Sequence, residues 1–358
     1  MDPAAGHELL RELNQWRPTG GVLSIYVVIN PADRREGWRT KLRHALKGLD
    51  EDAGARVLAR FPEGAPPPPG RVQAGYIEIG EGKPRDKREI WSVHQTAFAR
   101  TVAFERPRPY LAPLVQLLDE GWPLGVVVVA LERVRVFEWA LGEIEELAGW
   151  ELEITSLDWR ERKASRVDPA RGTATSASGR DQYEERLEHN RLAFLREAGR
   201  LIASRYGDRP WRDLIVIGEG DRPKLLGAGV GSPARRVHEI PHDLIRARPA
   251  EIGARVEQEL DHINRGRELE LIKAVEEAIG AEPGVALGPD EVLVALEQAR
   301  VHHAIYDATR EWEQRDGVEL SELMIERALG SRAGVTPVEG DAAAALQTRD
   351  GAAALLRY

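Results

Sequence analysis

The sequence predicts a multidomain α/β (α+β) protein: mixed-sheet N-terminal and middle domains and a small C-terminal α/β/α sandwich. Three observations predict it. The 358 residues suffice for two or three domains with substantial cores, at roughly 100–200 residues each. Strand-sized apolar runs, Val22 to Ile29 and Gly125 to Ala130 among them, recur between segments of 3.6-residue periodicity. From Gly288 onward, helix and strand patterns alternate, which points to a layered arrangement.

The first domain, residues 1–121, opens with Leu9, Leu10, Leu13 and Trp16 on one helical face. Pro18, Gly20 and Gly21 stop that helix. Val22 to Ile29 reads as a buried strand closed by Asn30-Pro31. Residues 35–50 read as a helix, with Trp38, Leu42, Leu46 and Leu49 spaced by three or four. Ala65 to Gly70, with four prolines between them, is a stiff turn or spacer. Strands at 73–79 and 97–104 and a short helix from Tyr110 to Asp119 complete the block.

The middle domain, residues 122–248, starts with strands at Gly125–Ala130 and Val134–Glu138, joined by the polar Glu132-Arg133 as an antiparallel pair. Residues 156–182 form a long polar loop, a length that marks a functional or disordered segment. A strong helix follows from 183 to 206, its Leu187, Phe194, Leu195, Ala198, Leu201 and Ile202 keeping the helical period, and then a buried strand, Leu214 to Gly218. Gly227-Ala228-Gly229-Val230-Gly231 lacks the downstream lysine and hydroxyl residue of a nucleotide loop and reads as a turn.

The third block, residues 249–358, begins with a connector helix over 249–279, weak at Gly266. Pro289, Asp290 and Glu291 suit a helix N-terminus. Helices at 292–299, 323–329 and 342–346 then alternate with strands at 301–306, 335–338 and 352–356. No internal repeat of useful length is present.

Composition excludes several functions. With no cysteine there are no disulfides, thiol catalysis, iron–sulfur clusters or cysteine-held zinc. No run reaches the ~18–20 apolar residues of a membrane span, so no membrane partner is expected. Met1 to His7 lacks the basic-then-apolar order of a signal peptide, which predicts a cytoplasmic protein. The net charge of −9 argues against a general nucleic-acid coat. Of the 50 basic residues, 43 are arginine; the forked guanidinium suits phosphate, although a compositional bias towards arginine explains the count as well.

Local charge is more informative. Between Trp159 and Arg180 six cations (Arg160, Arg162, Lys163, Arg166, Arg171, Arg180) face two anions (Glu161, Asp168), a balance of +4 in an anionic chain. A flexible cationic loop can follow a phosphate backbone and order on it. Arg35, Arg39 and Arg43, four apart on one helical face, make a second phosphate-contacting ridge or an ordinary exposed helix face. No cofactor or metal motif is found: His302 and His303 point to opposite faces of a strand, and His238 and His242 have no acidic cluster at ligand spacing. A nucleophile elbow is also missing.

Gly179-Arg180-Asp181-Gln182, the helix Tyr183 to Arg191 and the strand Leu214 to Gly218 resemble the middle domain of archaeal and eukaryotic class-1 release factors and Pelota. Pro289 to Glu297 with Val301 to Asp307, and the endings Val338 to Asp341 and Asp350 to Tyr358, resemble their C-terminal domain. The layout is similar to the bacterial branch of that superfamily, the Balon-like ribosome-associated factors. The resemblance implies a factor that enters the ribosomal A site, contacts rRNA and tRNA, and docks a translational GTPase such as EF-Tu. It carries Gly179 and Gln182 onto the family's catalytic Gly-Gly-Gln tip, with Arg180 and Asp181 between them. The family's Asn-Ile-Lys-Ser and cysteine-containing decoding motifs are missing, which implies codon-independent binding in ribosome hibernation or stalled-ribosome rescue. Peptidyl-tRNA hydrolysis through Gln182 and a GTPase-docking scaffold are the alternatives.

Overall fold

The computed structural model describes residues 3–29, 37–82, 87–96, 100–152, 160–161, 177–230, 236–282 and 284–357, with the backbone alone for 3–4, 160–161 and 177–186. The chain divides into two compact units: one joins residues 1–121 to 260–358, and the other spans 122–259. The first and third sequence blocks therefore share a unit.

In the first part of unit one, α1 (Pro3–Gln15) precedes β1 (Val22–Val28), α2 (Gly37–Ala45), α3 (Glu51–Arg60), β2 (Val72–Glu78), β3 (Glu89–His94), β4 (Val102–Arg106) and α4 (Ala112–Glu120). The sheet is antiparallel in the order β3-β2-β1-β4. One face buries Leu23, Ile25 and Val27 against Trp38, Leu42 and Val57 of α2 and α3. The helix expected over 35–50 is present as the shorter α2, and a second helix, α3, follows beyond the expected span. Asp50, whose carboxylate accepts from the Ala53 N–H at 2.8 Å, starts the second.

Unit two contains β5 (Leu124–Val129), β6 (Arg133–Ala140), β7 (Glu143–Glu151), β8 (Arg160–Glu161), α5 (Ala177–Tyr206), β9 (Asp213–Ile217), α6 (Arg222–Val230), β10 (Arg236–Ile240) and the start of α7 (Pro249–Ala278). Its sheet runs β10-β9-β5-β6-β7-β8. The strands β5, β9 and β10 are parallel, while β5 to β8 form an antiparallel meander. The predicted pairing of the first two strands is present as β5 with β6.

Phe194, Leu195, Ala198 and Ile202 of α5 pack on this sheet with Val127, Val134, Trp150 and Trp211. The glycine-rich stretch read as a turn lies mostly in α6 instead. Packing gives the reason. A Cβ on Gly199 would stand 2.4 Å from the Leu226 carbonyl oxygen and 2.8 Å from the Gly229 Cα, and one on Gly229 would stand 2.5 Å from the Arg196 carbonyl oxygen. The two helices thus cross backbone to backbone.

The rest of unit one holds the remainder of α7, β11 (Val285–Leu287), α8 (Pro289–Glu297), β12 (Val301–Asp307), the short hairpin β13 (Gln314–Arg315) and β14 (Val318–Glu319), α9 (Leu320–Ser331), β15 (Gly334–Val338), α10 (Gly340–Leu346) and β16 (Ala352–Leu356). The sheet order is β11-β16-β12-β15. On one face Ile272 and Val275 of α7 and Ala342 and Leu346 of α10 pack on Ile305, Val338 and Ala353. Helices α8 and α9 pack together and against β12. This is the expected α/β/α sandwich.

The glycine crossing is testable by thermal denaturation. Gly199→Ala costs about 1–3 kcal/mol of stability through overpacking. Gly227→Ala, whose Cβ would meet nothing nearer than 3.9 Å, gains up to ~1 kcal/mol of helix propensity instead. Equal melting of the two variants contradicts the tight crossing.

Candidate nucleic-acid interface

The sheet of unit two ends at β8, where Arg160 stands opposite Glu151 and Glu161 opposite Trp150. The chain is next described at Ala177, the first residue of α5. Helix α5 has 30 residues, a length of about 45 Å. Its described side chains divide sharply: none of 187–193 is buried, whereas Phe194, Leu195 and Ala198 are 1–2% exposed. The part from Phe194 onward is therefore anchored in the core, and residues 187–193 are not.

Of the tract's cations, Arg160 lies on β8 and Arg180 in the first turn of α5, both described by backbone alone. Arg162, Lys163, Arg166 and Arg171 lie outside the described residues, as does Arg35. Gly179 and Gln182 stand within α5, which begins at Ala177 rather than at Tyr183. The helix takes over the end of the polar segment although Ser178, Gly179 and Asp181 are poor helix formers.

The arginine ridge is altered by its surroundings. Arg39 is 5% exposed, its guanidinium donating to the carbonyls of Pro62 at 3.0 Å and Ala65 at 2.7 Å and lying over the Trp38 ring. It clamps the proline tract to α2 and offers no fork to an external phosphate. Arg43 is partly exposed and pairs with Glu63.

Beside the base of α5, at the carboxyl ends of β5 and β9, a groove of about 900 Å³ is lined by Leu131, Glu188, Arg191, Glu219, Asp221 and Arg222, among others. Arg191 donates to Glu132 at 3.0 Å, and Arg222 lies 3.7 Å from Glu219. With its arginines answered by acids, this groove is a poor phosphate site. Among the described residues no group of three or more metal-ligating side chains occurs. His303 bonds Thr336 through Nε2 at 2.9 Å, and His238 bonds Asp213 at 2.9 Å, which makes both structural.

Sequence reading missed the buried titratable groups of unit one. Glu322 of α9 accepts the Leu111 N–H at 2.9 Å and the Ala112 N–H at 2.7 Å, capping α4 from a distant part of the chain. Burial pushes its carboxyl up to about 8 against the pull of those two donors. Burial likewise raises Glu120 to about 7, although Gln116 donates to it at 2.8 Å. Buried Asp119 pairs with Arg267. In sequence these acids sit on amphipathic helices beside exposed polar residues, so no local signal separates them from solvated ones.

The architecture defines a mixed α/β protein that joins a cationic tract to a sheet edge on one side and to a long anchored helix on the other. Residues 109–260 match the family model described as bacterial archaeo-eukaryotic release factor family 10, a match that takes in the whole of unit two. Over that segment the chain is similar to that family, in line with the resemblance read from its sequence. Among solved structures, the chain is similar to an archaeal translation termination factor (17% identity, 100% of this chain and 99% of that one, TM-score 0.26). It is similar also to Archaeoglobus fulgidus Pelota (13%, 99% and 92%, TM-score 0.38). A third is ribosome-bound archaeal Pelota with ABCE1 (15%, 98% and 94%, TM-score 0.42). No curated protein matches it by sequence.

The buried acids set a pH dependence. Folding raises both carboxyls above their ordinary value of 4.5, so the folded state binds more protons than the unfolded one. The stability they contribute is whole below that value and is lost as pH rises through about 7 for Glu120 and about 8 for Glu322. From about pH 5.5 to 8.5 Glu120 accounts for a loss of about 1–2 kcal/mol, discounted for its partial exposure. Glu120→Gln therefore shows a shallower fall of melting temperature over that range than the wild type; parallel curves refute the assignment.

Proposed function

We propose that this chain is a ribosome-associated factor that binds the A site without reading a codon, acting in hibernation or in rescue of stalled ribosomes. The observation that carries the reading is the release-factor family match over residues 109–260 together with the +4 tract at 159–180 inside it. In an anionic chain, charge concentrated there makes attraction to RNA local. Helix α5 begins within the tract, and its first N–H groups add positive potential beside Arg180. The proposed partners are the ribosome first, with tRNA and a translational GTPase such as EF-Tu second.

Peptide release is the weaker reading. Glycines at a release tip serve to let the backbone take strained angles beside RNA, and Gly179 and Gln182 stand instead on a regular helix with Arg180 and Asp181 between them. Gln182→Ala is therefore expected to leave the rate of peptidyl-tRNA hydrolysis on stalled complexes unchanged. A marked fall in that rate would restore the enzyme reading.

Ribosome co-sedimentation tests the leading proposal. Replacing Arg160, Arg162, Lys163, Arg166, Arg171 and Arg180 by alanine is expected to weaken binding by more than about tenfold at physiological salt, and to lower the salt slope by ~0.7–0.9 for each phosphate contact removed. Unchanged pelleting and slope would refute it.

A further inference from the structure

Within unit one, α1 and the paired helices α8 and α9 border an open groove of about 1070 Å³. Arginines dominate its charge: Arg11 and Arg17 on one side, Arg327 and Arg332 on the other. Its two acids are already held. Glu297 pairs with Arg327 at 2.8 Å, and Glu326 pairs with Arg17 at 2.7 Å and with Arg108 at 2.5 Å. Arg11 and Arg332 are exposed, and their side chains make no hydrogen bond or ion pair with the described residues.

A second, independent observation falls on the same residue. Arg332 ends α9 with φ 56° and ψ 34°, in the left-handed region. Glycine takes that position at helix ends without strain, whereas an L side chain costs energy there. The sequence keeps an arginine where folding alone favours glycine, as it also keeps Ala299 of the same groove at φ 54°. The C-terminal carbonyls of α9, which would repel an anion, are partly neutralised by Arg357; its guanidinium donates to the Arg332 carbonyl at 2.9 Å.

We propose that this groove binds the phosphate backbone of single-stranded RNA, with Arg11 and Arg332 as the phosphate-contacting forks. Planar guanidinium groups match phosphate oxygens in pairs, and Leu296, Leu329 and Ala299 supply an apolar floor for bases or riboses. The surface lies on a different unit from the 159–180 tract, so it is a separate contact. It rests on the reading that the chain works on ribosomes, where single-stranded rRNA is the ligand at hand.

The test uses the full chain and fluorescein-labelled oligouridylate, followed by anisotropy over a salt series with polyglutamate as competitor. The double variant Arg11→Ala/Arg332→Gly is expected to lose affinity severalfold and to lower the salt slope by about 1.4, at ~0.7 per lost contact on single strands. Arg332→Gly alone keeps or raises the melting temperature while weakening binding, which a merely structural arginine would not do. Wild-type affinity and slope in the double variant would overturn the proposal, as would polyglutamate binding that depends on the same two arginines. Ribosome pelleting of the wild type reads the functional proposal separately: a chain that fails to pellet yet holds oligouridylate through Arg11 and Arg332 would overturn that proposal and support the groove.

Discussion

Helices α5 and α6 meet where Gly199 and Gly229 leave no side chain between their backbones, and this contact fixes α5 against the sheet of unit two. Gly199, in the interior of α5, costs about 1 kcal/mol of propensity relative to alanine. The close approach offsets that by letting Phe194, Leu195, Ala198 and Ile202 reach the β-sheet core. The helix runs on from this anchor towards its first residue, Ala177, so the crossing bears on where the chain re-enters regular structure after β8.

Unit one depends on a different device. Glu322 places a buried carboxyl group on the first amide groups of α4, and Asp119 near the other end of α4 pairs with buried Arg267 of α7. Each contact joins residues from the first part of the chain to residues beyond 260. A buried charge is costly unless its hydrogen bonds are made, so removing one partner costs more than the pair gains. Chain segments that the sequence divides into separate domains are in this way committed to one compact unit.

What was legible in the sequence follows burial. β1 and β5, buried nearly throughout, and the alternation of α8, β12, α9 and β15 stand out as apolar runs. Besides the two- and three-residue strands β8, β11, β13 and β14, the strands that escaped notice are β3, β7 and β10, whose residues are mostly exposed or half-buried; β3 and β10 are sheet edges, and β7 carries Glu143, Glu145, Glu146 and Glu151. Polar edge strands owe their conformation to a neighbour, which local composition does not reveal. Arg39 teaches the same lesson at the candidate site. Its four-residue spacing from Arg43 reads as an exposed ridge, but its partners are the carbonyls of Pro62 and Ala65, and only tertiary structure brings them near.

Arg39 also gives physical content to the excess of arginine. Arg135 shows the same use in unit two. It grips Glu146 with two bonds of 2.9 and 2.6 Å and donates to the carbonyls of Ile245 at 3.2 Å and Ala247 at 2.7 Å. One planar fork thus ties a strand to a loop and satisfies spaced acceptors that a lysine's single ammonium could not span. Arginines used this way contribute little outward potential, because carboxylates and carbonyl dipoles answer them. Net charge then understates how selectively the remaining cations act. Where arginines are spent internally in this way, the unanswered guanidinium groups and the charged tract weigh more in deciding where an anion can bind.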